Sequence, residues 1–159
     1  KADDFLPCSQ HKPKLTTHVP PLFIPDYQRP LILSVIANEQ TDQFDAAELE
    51  KLYHWTYRIS TQSDRMGIRL EGEPIIPNVQ GIISEGIAYG TIQLPPDGQP
   101  IILLKDRQTM GGYPKFGTLF VLDAFLLAQQ QAHTELRFTQ ISLQEAQDKL
   151  RYFYRFFGV

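Results

Sequence analysis

The sequence is poor in features that mark several large classes of protein. It has one cysteine, Cys8, among 159 residues, so no disulfide can form within the chain. No apolar run approaches the about 20 residues that a membrane-spanning helix needs. The opening residues, KADDFLPCSQHK, lack the basic and then apolar start of a signal peptide. We therefore expect a cytoplasmic protein with no membrane segment.

The charge balance excludes another class of partner. Acidic residues outnumber basic ones 18 to 15, which gives a formal charge of −3. Nucleic acids and anionic membranes are bound by basic surfaces, so neither is expected as the main partner.

Common catalytic and cofactor motifs are also missing. The sequence has no Gly-x-Ser-x-Gly, no Walker loop and no dinucleotide fingerprint. His11, His18, His54 and His133 are scattered, and Cys8 is the one thiol. Because a metal site needs several convergent ligands, we do not expect one. We expect no cysteine nucleophile either, because Cys8 lies in the proline-rich opening segment. No cofactor is expected on this chain alone.

The chain divides into two parts by composition. Residues 1–30 contain six prolines and no apolar period, which predicts an extended connector. Residues 31–159 are predicted to form one domain. The chain is 42% hydrophobic and 11% aromatic, enough to build a core.

Strand patterns dominate the second part. Apolar or alternating segments predict strands at 31–36, 54–59, 79–83, 87–94, 101–104, 113–122 and near 136–138. Trp55 is expected in the core, and Asp97-Gly98 predicts a tight turn. Capping residues predict short helices after Asp45, Asp123 and Ser142. The count is typical of a mainly β barrel or sandwich with short helices.

A polar, glycine-rich segment, KDRQTMGGYP at 105–114, lies between two hydrophobic strands. Turn chemistry does not require this mixture, and loops on a rigid scaffold often carry function. Glu85, Asp97 and Asp106 are carboxylates that can act as acid or base if burial raises their pKa. Asp97 is better explained by its turn. The candidate catalytic residues are therefore Asp106, Arg107 and Glu85.

The candidate substrate-binding residues are those that can hold a small polar molecule. They are Arg65, Gln93, Gln108, Thr109, Gly111, Gly112 and Tyr113. An arginine can clamp an oxygen pair, amide and hydroxyl side chains can orient an amide, and glycine lets backbone N–H groups approach an oxyanion. The open alternative is structural: Asp106 pairs with Arg107, and Asp64 with a neighbouring arginine.

Three stretches carry a family resemblance: SDRMGIRLEGE, SEGIAYGTIQLPPDGQP and LLKDRQTMGGYP. Together they resemble the allophanate hydrolase subunit 2 family. That family includes the C subunit of ATP-dependent 5-oxoprolinase, KipA and the carboxyltransferase region of urea carboxylase. The resemblance runs from Leu31 to the end and is to the C-terminal half of a longer protein. It implies a cyclophilin-like β-barrel.

The resemblance also implies a function. The first expectation is a component of an ATP-dependent complex that opens a small amide or lactam, most simply 5-oxoproline. Its implied partners are an allophanate hydrolase subunit 1-like B subunit and a LamB/YcsF-like A subunit, with ATP used by the complex and the isolated chain inactive. One alternative is a biotin-dependent carboxyltransferase acting on urea. Met66 and Met110 precede glycine rather than lysine, so biotin would be on another chain. The other alternative is a KipA-like regulator without enzymatic activity.

Overall fold

The computed structural model describes residues 5, 7, 21, 24–27, 29–79, 81–156 and 158. Within them the strands are β1 (Leu31–Ala37), β2 (Tyr57–Ile59), β3 (Gly67–Glu71), β4 (Glu85–Gly86), β5 (Thr91–Gln93), β6 (Ile101–Leu103), β7 (Met110–Gly111), β8 (Lys115–Leu119) and β9 (Glu135–Gln140). The helices are α1 (Ala46–His54), α2 (Val121–Leu127) and α3 (Leu143–Phe156), and a 3-10 helix covers Glu39–Gln43. Most of the predicted connector, 1–30, lies outside the described residues.

Seven of the strands close into a barrel in the order β1–β8–β5–β6–β3–β2–β9. All neighbouring pairs are antiparallel except β1 with β9, which pair in parallel, with Leu31 opposite Leu136, and close the barrel. A closed barrel leaves none of its strands as a free edge. The predicted mainly β barrel with short helices is confirmed.

Alternation along the strands fills the barrel. In β1, Leu33 and Val35 are fully buried while Ile32 faces out. The same alternation places Ile92 and Phe116 inside from β5 and β8. Each such side chain stabilises the fold by about 1.5–3 kcal/mol relative to an exposed position. None of the helices in the described part of the chain has the length and apolar character needed to cross a bilayer.

The predicted Asp97-Gly98 turn is present between β5 and β6. Gly98 has a φ of 72°, which L side chains rarely adopt, and its N–H donates to the Pro95 carbonyl at 2.9 Å. The Asp97 carboxylate accepts from the Gln99 N–H at 3.1 Å. Asp97 therefore shapes the turn, as expected.

Three strand predictions need correction. Trp55 is 50% exposed, because α1 continues to His54 and β2 begins only at Tyr57. The predicted strand 87–94 is wrong as one element: the chain turns at Gly90, where φ is 83°, and divides β4 from β5. No strand forms at 79–83 within the described residues, although the N–H of Ile82 donates to the carbonyl of Gly112.

The capping predictions had different outcomes. Asp45 precedes α1, but its side chain caps no backbone N–H and instead accepts from Asn78. Asp123 lies inside α2, where its carboxylate accepts from the N–H of Ser34 at 2.6 Å and ties the helix to β1. Ser142 does cap α3, since its hydroxyl accepts from the N–H of Glu145 at 3.1 Å.

Candidate functional site

A two-stranded ribbon, β4 paired with β7, lies against the outer wall of the barrel. Ile92 and Leu94 point into the core, so Gln93 between them points outward. Lys115 precedes the core residue Phe116 and is opposite Gln93 on the next strand. Both side chains are buried, with relative exposures of 1% for Gln93 and 8% for Lys115.

Gly111 is what lets the ribbon approach the wall. A Cβ atom there would lie 2.8 Å from Nε2 of Gln93 and 2.6 Å from Cδ1 of Ile87. A side chain there would require the ends of these two side chains, or the ribbon itself, to shift. Gly111 is opposite Glu85 in the ribbon, so the same close packing brings Glu85 to the wall.

The buried Lys115 ammonium is held by two acceptors. Its Nζ donates to Oε1 of Glu85 at 2.7 Å and to the carbonyl of Gly86 at 2.9 Å. A buried charge is costly unless paired in this way. An ammonium has three N–H donors, so these bonds leave one for a ligand.

Glu85 is kept ionised by its surroundings. The hydrogen bond from Lys115 is the main cause that lowers the pKa of Glu85, and the positive charge of Lys115 and a bond from Gln40 add to it. Partial burial acts in the opposite sense and is outweighed. The condition under which Glu85 would be a general acid, a raised pKa, is therefore not met. The lowered pKa also makes Glu85 a weaker base, so Glu85 is best suited to orient Lys115.

These groups open into a groove of about 590 Å³, named here the Lys115 groove. Its lining residues are Ala37, Asn38, Glu39, Gln40, Glu85 and Lys115. Nε2 of Gln93 is buried nearby and has no hydrogen-bond partner among the described residues. An ammonium with an unused donor can polarise a carbonyl or hold a carboxylate. Within the described residues, no cluster of histidine, cysteine or carboxylate side chains fits a metal ion.

A second groove, of about 530 Å³ and named here the Arg65 groove, contains other predicted residues. Arg65 and Asp106 line it, together with Leu104 at the end of β6 and Ala132 ahead of β9. The Lys115 groove instead lies beyond the C-terminal end of β1. Because β9 runs parallel to β1, the two grooves are at opposite ends of the barrel.

Asp106 and Arg107 do not pair as the structural alternative supposed. Asp106 pairs with Arg65, at 3.3 Å between Nε and Oδ2. The Arg107 guanidinium donates to the carbonyls of Ile87 and Leu104, each at 3.1 Å. Arg107 thus ties the 105–109 loop to the start of the β4–β5 turn.

The remaining predicted residues lie along the ribbon. Gln108 and Thr109 are exposed between the two grooves, and the Thr109 carbonyl accepts from the N–H of Ile87. The Gly112 carbonyl is used by Ile82, and Tyr113 is 43% exposed. The structure therefore gathers Glu85, Gln93 and Gly111 of the predicted set and places Arg65 and Asp106 elsewhere.

Sequence reasoning missed Lys115 and Gln40. Lys115 had a signal, because it is a charged residue at the start of an otherwise buried strand. Gln40 had none, since it lies in a polar segment and reaches Lys115 across 75 residues of sequence.

The fold and site define a class: a closed, mainly β barrel with a polar groove beside a ribbon on its wall. The family model for the carboxyltransferase domain, subdomain A and B, matches residues 1–140, and the chain belongs to this family.

Two relatives add detail. The chain is 38% identical over 116 residues to the C subunit of 5-oxoprolinase from Escherichia coli, covering 70% of this chain and 37% of that protein. It is 37% identical over 116 residues to the C subunit of 5-oxoprolinase from Haemophilus influenzae, covering 70% of this chain and 38% of that protein. The chain thus spans little more than a third of either relative.

A solved structure agrees on the fold. The urea carboxylase of Kluyveromyces lactis superposes with a TM-score of 0.67 at 18% identity, over 82% of this chain and 13% of that chain. At that identity the likeness supports the barrel architecture. The family membership expected from the three sequence stretches is confirmed by the family match.

Proposed function

We propose that this chain is part of an ATP-dependent 5-oxoprolinase-type complex and that its Lys115 groove binds the carbonyl oxygen of a small amide or lactam. The observation that carries the proposal is the buried Lys115 ammonium, which keeps one donor beyond its bonds to Glu85 and Gly86. The names of the two relatives, each the C subunit of a 5-oxoprolinase, support the substrate class.

The groups have distinct roles in this proposal. Lys115 donates to the amide oxygen, where negative charge builds up when a nucleophile attacks the carbonyl carbon. Glu85 keeps the ammonium charged and oriented. The amide of Gln93 is buried beneath the ribbon and does not line the groove, so it makes no direct contact in this proposal. Because the Lys115 donor is fixed before the reaction, it needs no reorganisation as charge develops.

The partners in this proposal are the A and B subunits of the complex, which supply the ATP chemistry that no motif of this chain provides. Exposed apolar side chains flank the groove residues along the sequence: Ile83 before Glu85, and Met110 and Tyr113 before Lys115. Their exposures are 93%, 53% and 43%. Such residues suit the anchors of a protein interface, and we assign them to contact with the B subunit.

The test is reconstitution. The chain is co-expressed with the homologues of the A and B subunits from its own source and assayed for ATP-dependent release of glutamate from 5-oxoproline. We expect copurification and turnover by the complex, with none from the chain alone. Turnover by the two partners without this chain, or none by the complete complex, would contradict the proposal.

A second candidate is carboxyl transfer from biotin on another chain to a urea-like acceptor. The description of the matching family and the likeness to urea carboxylase favour it. The same ammonium can hold a carboxylate or a ureido oxygen. An assay with urea and a carboxylated biotin carrier separates the two activities. Partner binding without either turnover would favour a KipA-like regulator.

A further inference from the structure

Gln40 is fixed in place before its side chain reaches the groove. It lies in the 3-10 helix that follows β1, where the Asn38 side chain accepts from its backbone N–H at 3.1 Å. The hydroxyl of the neighbouring Thr41 donates to the Asn38 carbonyl at 2.8 Å and contacts the Phe116 carbonyl of β8 at 3.3 Å. The capped helix therefore holds Gln40 against the strand that carries Lys115.

The Gln40 amide joins both members of the charged pair. Its Oε1 accepts from the backbone N–H of Lys115 at 2.9 Å, and its Nε2 donates to Oε1 of Glu85. The backbone N–H can only donate and the ionised carboxylate can only accept, so the orientation of the amide is fixed by its partners. One oxygen of Glu85 thus receives hydrogen bonds from both Gln40 and Lys115.

We propose that Gln40 is a positioning residue, which acts through Glu85 and Lys115 to direct the remaining ammonium donor into the groove. Its role in turnover rests on the proposed function, whereas its role in holding Lys115 does not. Without the amide, Glu85 loses one of two donors and its 47% exposed side chain can leave the wall. Lys115 would then retain its hydrogen bond to the Gly86 carbonyl, and its amine would react faster with a labelling reagent.

The first test needs no enzymatic activity. The 159-residue chain is treated with limiting formaldehyde and cyanoborohydride, and dimethylation of each lysine is followed by mass spectrometry. In Gln40→Met we expect Lys115 to be labelled about tenfold faster, the worth of one hydrogen bond to a charged group. Lys51 and Lys149, which pair with glutamates elsewhere, serve as internal references.

The matched control is Gln43→Met, at the end of the same 3-10 helix. The Gln43 side-chain oxygen is buried without a hydrogen-bond partner among the described residues, so the same substitution removes no bond of the site. Its Lys115 labelling should match the wild type. Equal labelling of Lys115 in all three proteins would overturn the proposal.

The second test uses the reconstituted complex. Gln40→Met should lower kcat about tenfold, and Gln40→Glu should move the acidic limb of the kcat/KM profile to higher pH because two carboxylates then share one ammonium. If Gln40→Met fails to fold, the pH profile of Gln40→Glu tests the proposal by itself, since its carboxylate still accepts from the Lys115 N–H but cannot donate to Glu85. If Lys115 is labelled faster in Gln40→Met but the complete wild-type complex shows no turnover, the proposed function is refuted and the positioning role stands. Unchanged kcat and pH profile in an active complex would refute the positioning role.

Discussion

The two grooves differ in how they hold a positive charge. In the Lys115 groove the ammonium side chain is 10% exposed and bonded to a carboxylate and a backbone carbonyl. In the Arg65 groove the arginine side chain is 92% exposed, and that of its carboxylate partner, Asp106, is half exposed. Solvent screens the second pair, whereas the first lies where water competes less for its donors.

This difference concerns residues that the sequence singled out by the composition of a loop. Asp106 was chosen because it lies in a polar, glycine-rich segment between two strands, and Arg65 because a guanidinium can clamp an oxygen pair. In the structure Asp106 and Arg65 form an exposed ion pair, and such a pair typically contributes little to stability. The polar groups that are buried and oriented lie at the other end of the barrel, on strands and on a ribbon.

The largest expected effect is on activity, and it tests which of the two grooves binds the substrate. Lys115→Met in the reconstituted complex should lower kcat/KM by about a hundredfold, because one preorganised contact to developing charge is lost. The same change at Arg65 should alter kcat/KM by less than about threefold, since it removes an exposed pair. Steady-state kinetics with 5-oxoproline, with melting temperatures as the folding control, make the comparison. A larger loss at Arg65 would move the site to the other groove.

A smaller effect tests how closely the ribbon packs over the Lys115 groove. Gly111→Ala should lower the free energy of unfolding by about 1–3 kcal/mol, because its methyl group would overlap Gln93 and Ile87. Gly86→Ala is the matched control in the same ribbon, since a Cβ there meets nothing within 4 Å. Urea denaturation of the chain measures both. Equal losses in the two variants would show that the ribbon does not lie on the wall.

The smallest expected effect is on stability, and it compares the ion pairs of Glu85 and Asp106. The pKa of Glu85 is lowered in the folded chain, so its stabilisation is present above the unfolded value near 4.5 and is lost as the pH falls through the folded pKa. Glu85→Gln should therefore cost no more than about 1 kcal/mol at neutral pH, and the difference should vanish in acid. Asp106→Asn should cost less and respond more to added salt. Urea denaturation from neutral to acidic pH tests this, and a Glu85→Gln loss that persists in acid would contradict it.

The sequence predicted elements whose signals are local. The turn at Asp97-Gly98, the strand at 101–104 and the cap at Ser142 each depend on neighbours within a few residues, and each is present. The prediction that Trp55 lies in the core was wrong, because the alternation of residues just after a helix resembles the alternation within a strand. Closure of the barrel was expected from the family resemblance, since strand patterns alone allowed a sandwich as well.

The candidate site was only partly predictable for a related reason. Glu85 and Lys115 are 30 residues apart, and Gln40 and Lys115 are 75 apart. No local pattern links them, because the contact depends on which strands neighbour each other in the barrel. Gln93 and Gly111 were chosen for their chemistry, and the close packing between them explains why a glycine occupies position 111.

The parallel pairing of β1 with β9 has a consequence for how the chain is made. Leu31 meets Leu136, so the barrel cannot close until almost the whole domain has left the ribosome. Until then β1 and β2 each present an unpaired edge, which is a template for joining other chains. Such long-range closure also slows folding. We therefore expect the nascent domain to depend on chaperones, and a chain that ends before residue 135 to aggregate rather than fold.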